Sequence, residues 1–570
     1  MKHFWKIIGW LCLGLFNIFS VWGAFFLFGK GFYELSVTFF VLIVLIDYFI
    51  LNKKSYPYRY MIPAVILLFI LVLYPITFTI KTAFTNYGTG HIMTRQEVID
   101  RLLTDPVYTY VPENAKEYRY EIFIRYDGIK PTNDYKVLLT SQNGEKYIMG
   151  EIKVVRMQAG KMLLGEAQMV PLDRAGLNII KEDGNIIAIV EDGKTYRYFY
   201  SPYDPETRVN EIFFKSQVGF PVLSKVEIVD PENNRLSLRF SEDGSLRLRT
   251  VRHLYRLSLA EVQEKGKTVV KTVLFNDKTN KPLIEENGTF YDLDENGEKV
   301  AIMGYISYIG GKNFSRIFMD PTVSGPFTKI FLWNFTYAAL SVLFTFVIGL
   351  SFALVLNNRT LTGKAVYRTL LIIPWAIPAF ISVLIWKNGF FNETYGIINR
   401  FIITNVFKGN PLQWMTNPFW AKVAVLVVNT WLGFPYMMTV SLGALQSIPD
   451  ELYEAASIDG ASKSQRFWKI TFPLLMTTIA PLLVGSFAFN FNNFVNIYLL
   501  TSGGPAIPNT STPAGATDIL ISYTYKLAFE AGRGQDFGFA SAISILIFFI
   551  VAGISFVNFK ISGSFEEVNR

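Results

Sequence analysis

Apolar runs and polar stretches divide this chain into three parts. Runs of about the ~20 residues that a helix needs to cross a ~30 Å hydrocarbon layer fall at roughly 8–28, 33–51, 60–80, 329–356, 368–388, 421–443, 474–498 and 538–558. They predict eight spanning helices, three before a long polar interval and five after it. Between about 82 and 325 charged residues and turn signals return, and the period changes. Tyr120-Glu121-Ile122-Phe123-Ile124-Arg125-Tyr126 alternates as a half-buried strand does. Asn143-Gly144, Asp183-Gly184, Asp192-Gly193, Asp243-Gly244, Asn287-Gly288 and Asn296-Gly297 are hairpin-type pairs, since each tolerates positive φ. One of them separates Arg235–Phe240 from Ser245–Arg249, which predicts a hairpin, and a helix is expected around Thr94–Leu103. The fold class that follows is an all-α polytopic membrane protein of about eight transmembrane helices carrying a large, mostly-β insertion. Its expected domains are 1–81 with three transmembrane helices, the insertion 82–325, and a core of five transmembrane helices over 326–570.

Composition agrees with the pattern. Hydrophobic residues make up 51% and aromatic residues 16% of the 570, against 18% charged, which is too apolar for an ordinary soluble protein. The net charge of +8 invites a nucleic-acid partner, but the position of the charges argues against one. Lys2, Lys6, Lys53, Lys54, Arg59, Arg359, Lys364, Arg368, Lys463, Arg466, Lys469 and Lys560 flank alternate span ends, as the positive-inside rule requires beside anionic membrane lipid. That bias places both termini and the 450–473 connection in the cytoplasm and the insertion outside it. The first apolar run has a basic start but no small-residue cleavage site, so it is read as a retained helix.

Chemistry is sparse. Cys12 is the single cysteine, so neither an internal disulfide nor a thiolate metal cluster is expected. No G-x-x-x-x-G-K-[ST] loop, dinucleotide fingerprint, His-rich metal pattern or nucleophile–base constellation occurs; no catalytic residue, metal or cofactor is expected, and any ATP must bind another subunit. Asp292-Leu293-Asp294-Glu295-Asn296-Gly297 begins like a calcium loop, yet its twelfth position is Met303, where a bidentate Glu is needed. A β-turn is the expectation there.

Polar residues inside spans are costly and mark function by default. In the 421–443 run, Asn429, Gly433 and Tyr436 share one helical face with Leu432 beside them. In the 474–498 run, Ser486, Phe489, Asn490 and Asn493 form a second stripe. Amides both donate and accept, and an aromatic ring covers the apolar face of a pyranose, so two facing stripes suit a neutral polyhydroxylated ligand. The same amides serve equally well to glue helices together. Pro374, Pro378, Pro435, Pro473 and Pro481 predict kinks, which fit a cavity and irregular packing alike.

Between these two runs lies Glu454-Ala455-Ala456-Ser457-Ile458-Asp459-Gly460, followed by Ile470-Thr471-Phe472-Pro473. Ser447-Ile448-Pro449-Asp450 starts a helix, Gly460 breaks it, and Lys463, Arg466 and Lys469 lead back to the membrane. The pattern E-A-A-x3-G-x9-I-x-x-P resembles the coupling loop of ABC-importer permeases, with Phe472 where that family usually has Leu. Gly363 to Arg368, Asn429 to Gly433, Ser486 to Asn493, Thr501-Ser502-Gly503-Gly504-Pro505 and Gly534-Gln535-Asp536-Phe537-Gly538 extend the likeness over essentially all of 310–560. There the chain is similar to the MalF family of maltose/maltodextrin ABC-transporter permeases; residues 82–310 match it only in position and β character.

The resemblance implies a type I ABC-importer permease fold and alternating access. It implies sugar contacts at Asn429, Leu432, Gly433, Tyr436, Ser486, Phe489, Asn490 and Asn493, and ATPase coupling through Glu454, Ala455, Ala456, Asp459 and Gly460. It also implies a MalG-type partner permease, two MalK-type ATPase subunits and a soluble sugar-binding protein. A permease for another oligosaccharide is the alternative within the class, and a receptor with a sensory β domain the alternative outside it. The stretch after Lys560 offers no signalling module, and no acidic residue stands mid-span in the C-terminal half to bind a coupling ion.

Overall fold

The computed structural model describes residues 2–29, 33–52, 60–158, 161–200, 226–264, 267–294, 296–358, 360–530 and 534–561. Lys53, Lys54, Arg59, Arg359, Glu295 and the stretch from 562 onward lie outside the described residues. Two compact units emerge, Met93–Tyr305 and the rest of the chain.

The helical unit opens with α1 (Lys2–Gly29) and α2 (Tyr33–Leu51). Their apolar parts, Leu13–Gly29 and Leu35–Leu51, are shorter than the other spans. Asp47 is tolerated on α2 because the Asn17 amide donates to both carboxylate oxygens at 3.0 Å. The next helix, α3 (Ala64–Ala83), ends where the chain departs for the insertion. Departure and return are tied together: Ile309 N donates to Phe84 O at 2.8 Å, and the buried Asn313 amide donates to Ala83 O and Thr85 O at 2.9 and 2.8 Å.

In the insertion unit, strands 117–127, 130–141, 146–149, 161–171, 226–229, 235–240 and 246–250 pair in a ring that closes where Leu248 meets Tyr118. Alternation turns Tyr118, Tyr120, Ile122, Ile124, Val137, Leu139, Ile228, Leu236 and Leu248 into its core. The hairpin expected around Asp243-Gly244 is present, with Leu236 opposite Thr250 and Phe240 opposite Leu246. The glycine is at positive φ in all six turn pairs; in three of them, at Asp183, Asp192 and Asn287, the first residue is too, as a two-residue turn requires. A smaller core of Val98, Leu102, Tyr255, Leu274 and Phe290 gathers helix α4 (Arg95–Thr104) and the hairpins that follow. Thr94 and Glu97 form the capping box that starts α4. The calcium-like stretch is a turn between strands, with the Asp294 carboxylate accepting from Asn296 N and Glu298 N.

The second helical stretch runs α5 (Lys312–Met319), α6 (Pro321–Asn357), α7 (Lys364–Ala376), α8 (Ala379–Phe390), α9 (Pro418–Gln446), α10 (Asp450–Ile458), α11 (Lys463–Phe491), α12 (Phe494–Thr501), α13 (Leu520–Phe529) and α14 (Phe537–Ile561). Among the described residues α3, α6, α9, α11 and α14 are long and apolar enough to span, and α7 with α8 makes a sixth.

Two spans differ from the hydrophobic pattern. The 368–388 run is not one straight helix, because α7 and α8 meet at 89°. Pro378 removes a backbone donor and forces Ile377 out of the helical region, to φ −82°, ψ 132°. The 474–498 run is likewise two helices. Asn492 and Asn493 leave helical geometry between α11 and α12, at φ −112° and −78°. Hydropathy does not register such breaks, since each broken piece is as apolar as a continuous span.

In lipid, apolar side chains gain little by leaving one apolar neighbour for another, so close approach and polar bonds must hold the bundle. Both occur. A Cβ on Gly349 of α6 would lie 2.7 Å from Met438 N of α9, so the two backbones meet there. The buried Asn334 amide on α6 donates to Phe491 O at 3.0 Å and accepts from Leu520 N at 2.7 Å, fixing the end of α11 and the start of α13 to one point. Asp518, fully buried, accepts from Gly515 N at 2.7 Å and pairs with Lys526 at 2.8 Å, which anchors the loop before α13.

Candidate functional site

A cavity of about 1040 Å³ opens within the helical unit, bounded by the α7–α8 bend, the middle of α9, the second half of α11 and the start of α12. This matches the upper end of the ~300–1,000 Å³ usual for small-molecule sites. All eight residues of the two polar stripes line it: Asn429, Leu432, Gly433 and Tyr436 from α9, and Ser486, Phe489, Asn490 and Asn493 from α11 and the break after it. No charged side chain is among its lining residues.

Asn429 is the hub. Its amide donates to Asn490 Oδ1 at 2.8 Å, while its own carbonyl accepts from Asn493 Nδ2 at 3.1 Å and Asn496 Nδ2 at 2.8 Å. The Asn490 amide in turn donates to Ser486 O at 2.8 Å. Four amides are thereby held in fixed orientations, and each bond contributes on the order of 1 kcal/mol net in an interior. The bonds do join α9 to α11 and α12, so the helix-gluing role is real. They also leave capacity over: an asparagine side chain has about four hydrogen-bonding positions, and Asn493 uses one of them in this network.

The break at Asn492-Asn493 is what completes the hub. On a continuous helix Asn493 and Asn496 would continue the α11 stripe along one axis. Here α12 starts afresh at Phe494, and Asn493 and Asn496 both reach the same carbonyl.

The aromatic part of the wall comes from three elements. Phe489 is 70% exposed toward open space, Tyr436 stands on α9, and Trp375 from the α7–α8 bend lies 6.2 Å from the Tyr436 ring. Gly433 is small for a separate reason: a Cβ there would lie 2.8 Å from Thr345 Cγ2 of α6.

Sequence reasoning missed Asn496, Trp375 and Thr345. Asn496 carries the same signal as its neighbours, an amide in an apolar run, and is set three residues beyond Asn493. Trp375 sits one residue from Pro374 and three from Pro378, so the expected kink was the clue to its exposure. Thr345 had no signal, because a threonine in an apolar helix ordinarily bonds its own backbone, as this one does to Ser341 O at 2.7 Å.

The 450–473 segment has opposite properties. No residue of α10 is buried; Glu454, Ala455 and Asp459 are exposed, and Ile458 is 87% exposed although apolar. Gly460 ends the helix at φ +77°, a geometry that disfavours any side chain. The segment is nonetheless ordered: Arg466 donates to Ser457 Oγ at 2.7 Å, Tyr453 and Thr471 hydroxyls meet at 3.0 Å, and Ser462 with Gln465 forms a capping box.

Comparison with known proteins follows the same division. Residues 311–560, which hold both the cavity and the exposed segment, match the family described as binding-protein-dependent transport system inner membrane component. Residues 66–152 match the N-terminal region of the membrane subunit in such ABC transporters, and 12–55 match a domain of unknown function. The maltose/maltodextrin transport system permease protein MalF of Salmonella typhi is 36% identical over 565 residues, covering 98% of each chain. MalF of Vibrio cholerae is 36% identical with 97% of this chain and 94% of that one covered, and MalF of Escherichia coli K12 is 35% identical with 98% of both. The chain belongs to the MalF family of permeases. It is accordingly a multi-pass inner-membrane subunit of a type I ABC importer, which works with a partner permease, an ATPase and a binding protein. ATP hydrolysis in such an importer resides in the separate ATPase, so a MalF-family subunit carries no bond chemistry of its own.

Proposed function

We infer that this subunit carries maltose or maltodextrins across the membrane by alternating access. The observation that carries the reading is a cavity of about 1040 Å³ with no charged lining residue, furnished with oriented amides and three aromatic rings. Sugar hydroxyls need partners that both donate and accept, and a pyranose face needs a flat apolar surface. Asn429, Ser486, Asn490 and Asn493 supply the former; Tyr436 and Phe489 supply the latter, with Leu432 and Gly433 shaping the floor. An amino acid or metal ion would instead call for fixed charge.

The exposed segment around Glu454, Ala455, Ala456, Asp459 and Gly460 docks one of two MalK-type ATPase subunits, and a MalG-type permease forms the other half of the pathway. Bare apolar side chains at Leu452 and Ile458 on a well-ordered segment support a protein contact there. Both termini and this segment face the cytoplasm. Residues 1–81 and 326–570 form the membrane part, and 82–325 is the extracytoplasmic insertion where a sugar-loaded binding protein delivers its cargo. The curated relatives named above carry maltose and maltodextrin in their names, which favours these sugars over another oligosaccharide.

The test is ATPase stimulation of the assembled transporter in proteoliposomes against a panel of binding-protein–sugar pairs. Maltose or maltodextrin complexes should give the largest stimulation, accompanied by uptake. Equal or greater response to an unrelated sugar would reassign the substrate within the class.

A further inference from the structure

Lys329 and Lys422 stand outside every role assigned above. They lie near the N-terminal ends of α6 and α9 and line one cavity of about 610 Å³. The α7–α8 pair returns the chain between them, so both ends belong to the membrane face at which the chain leaves α3. The positive-inside rule gives no reason for paired lysines on that face. The remaining walls are largely apolar, with Ile330, Leu332, Trp333, Pro418 and Ile507 among them, and no acidic side chain is present. Among the described residues neither lysine has a carboxylate partner. The nearest compensation for Lys422 is the Trp333 ring, whose centre lies 4.7 Å from Nζ.

Two cations left without counter-charge, beside a tryptophan at the mouth of an apolar recess between spans, match a ligand with an anionic head and hydrocarbon behind it. We propose that this cavity binds the headgroup of an anionic phospholipid of the outer leaflet. The two ammonium groups hold the phosphodiester, and Leu332, Trp333 and Ile507 receive the glycerol and the first methylenes. Lysine stems lying along apolar surface with their heads at the interface suit that arrangement.

The assembled transporter, purified in detergent and equilibrated with micelles doped with phosphatidylglycerol or phosphatidylethanolamine, tests this by native mass spectrometry. Phosphatidylglycerol should be retained in preference. Lys329→Gln and Lys422→Gln should each weaken retention about fivefold, as expected for one lysine near an anionic surface, and Lys422→Arg should preserve it. Millimolar inorganic phosphate should leave retention unchanged. Equal retention of the two lipids, or an unaffected double variant, would overturn the proposal. Displacement by phosphate alone would make this a site for a free anion. Loss of the assembled complex in the double variant, whatever the lipid, would give the lysines to a carboxylate of a partner subunit.

Discussion

The cavity is lined by α9 and α11 and the 450–473 segment connects those same two helices, yet the two regions treat polarity in opposite ways. In the cavity the polar groups are neutral, buried or half-buried, and bonded to one another. On the segment they are charged and exposed, and apolar side chains beside them are left bare. Under the proposed function the difference separates two tasks. A site that must release its ligand in every cycle is built from many weak, preoriented hydrogen bonds, whereas a surface that must transmit force is stiffened internally and finished by its partner.

Breaking the mechanical side should have the largest effect. Gly460→Val forces a β-branched residue to φ +77°, which distorts the link between α10 and α11. Sugar-stimulated ATPase and uptake should fall by about two orders of magnitude while membrane insertion, followed by proteolysis of the intact cells, is retained; normal uptake would remove the segment from the coupling role.

Next comes the hub. Asn429→Leu leaves Asn490, Asn493 and Asn496 each short of a partner, at about 1–3 kcal/mol for a buried polar group left unsatisfied. Uptake should drop at least about tenfold, with a lower melting temperature. Asn496→Ala separates support from contact: it removes one of the two donors to Asn429 without removing a stripe residue, so uptake should fall about three- to tenfold, a loss of about 1 kcal/mol. An unaltered KM for the binding-protein–sugar complex in that variant would place Asn496 in helix packing alone.

Gly433→Ala narrows the floor against Thr345 and should reduce uptake severalfold, with Thr345→Ser restoring part of it by removing the clashing methyl. The smallest effect lies in the insertion. Glu285 pairs through two bonds with Arg95 at 2.8 Å, and Tyr305 also donates to it; the Arg95 hydrogen bonds hold its carboxyl below the usual value. A lowered acid pKa gives stability that is present above the unfolded value and lost as pH falls through the folded one. Glu285→Gln should therefore lower the melting temperature slightly at neutral pH, by an amount that partial solvent screening of the pair keeps small, and the difference from the parent should vanish as pH falls through the folded value.

Much of this was legible in the chain. Hydropathy located the five long apolar helices and the bent α7–α8 pair, glycine-bearing turn pairs located the hairpins, and the stripes at Asn429–Tyr436 and Ser486–Asn493 named every cavity residue they contained. The rest was hidden for definable reasons. A period of 3.6 residues cannot show that Asn492 and Asn493 leave the helix, because the partner that Asn493 and Asn496 share after the break, Asn429, is on another span. The exposure of Trp375 depends on an 89° bend whose presence two prolines suggest but whose direction they do not. Closure of the insertion's strand ring rests on Leu248 meeting Tyr118, more than a hundred residues apart in sequence, which no local pattern encodes.

The contact at Gly349 has a consequence for motion. With the backbones of α6 and α9 in van der Waals contact there, neither helix has room to slide or tilt toward the other. The wall that bears Asn429 is therefore braced from behind by α6. The opposing wall lacks such a brace along one continuous helix, since α7 and α8 are jointed there and α11 gives way to α12.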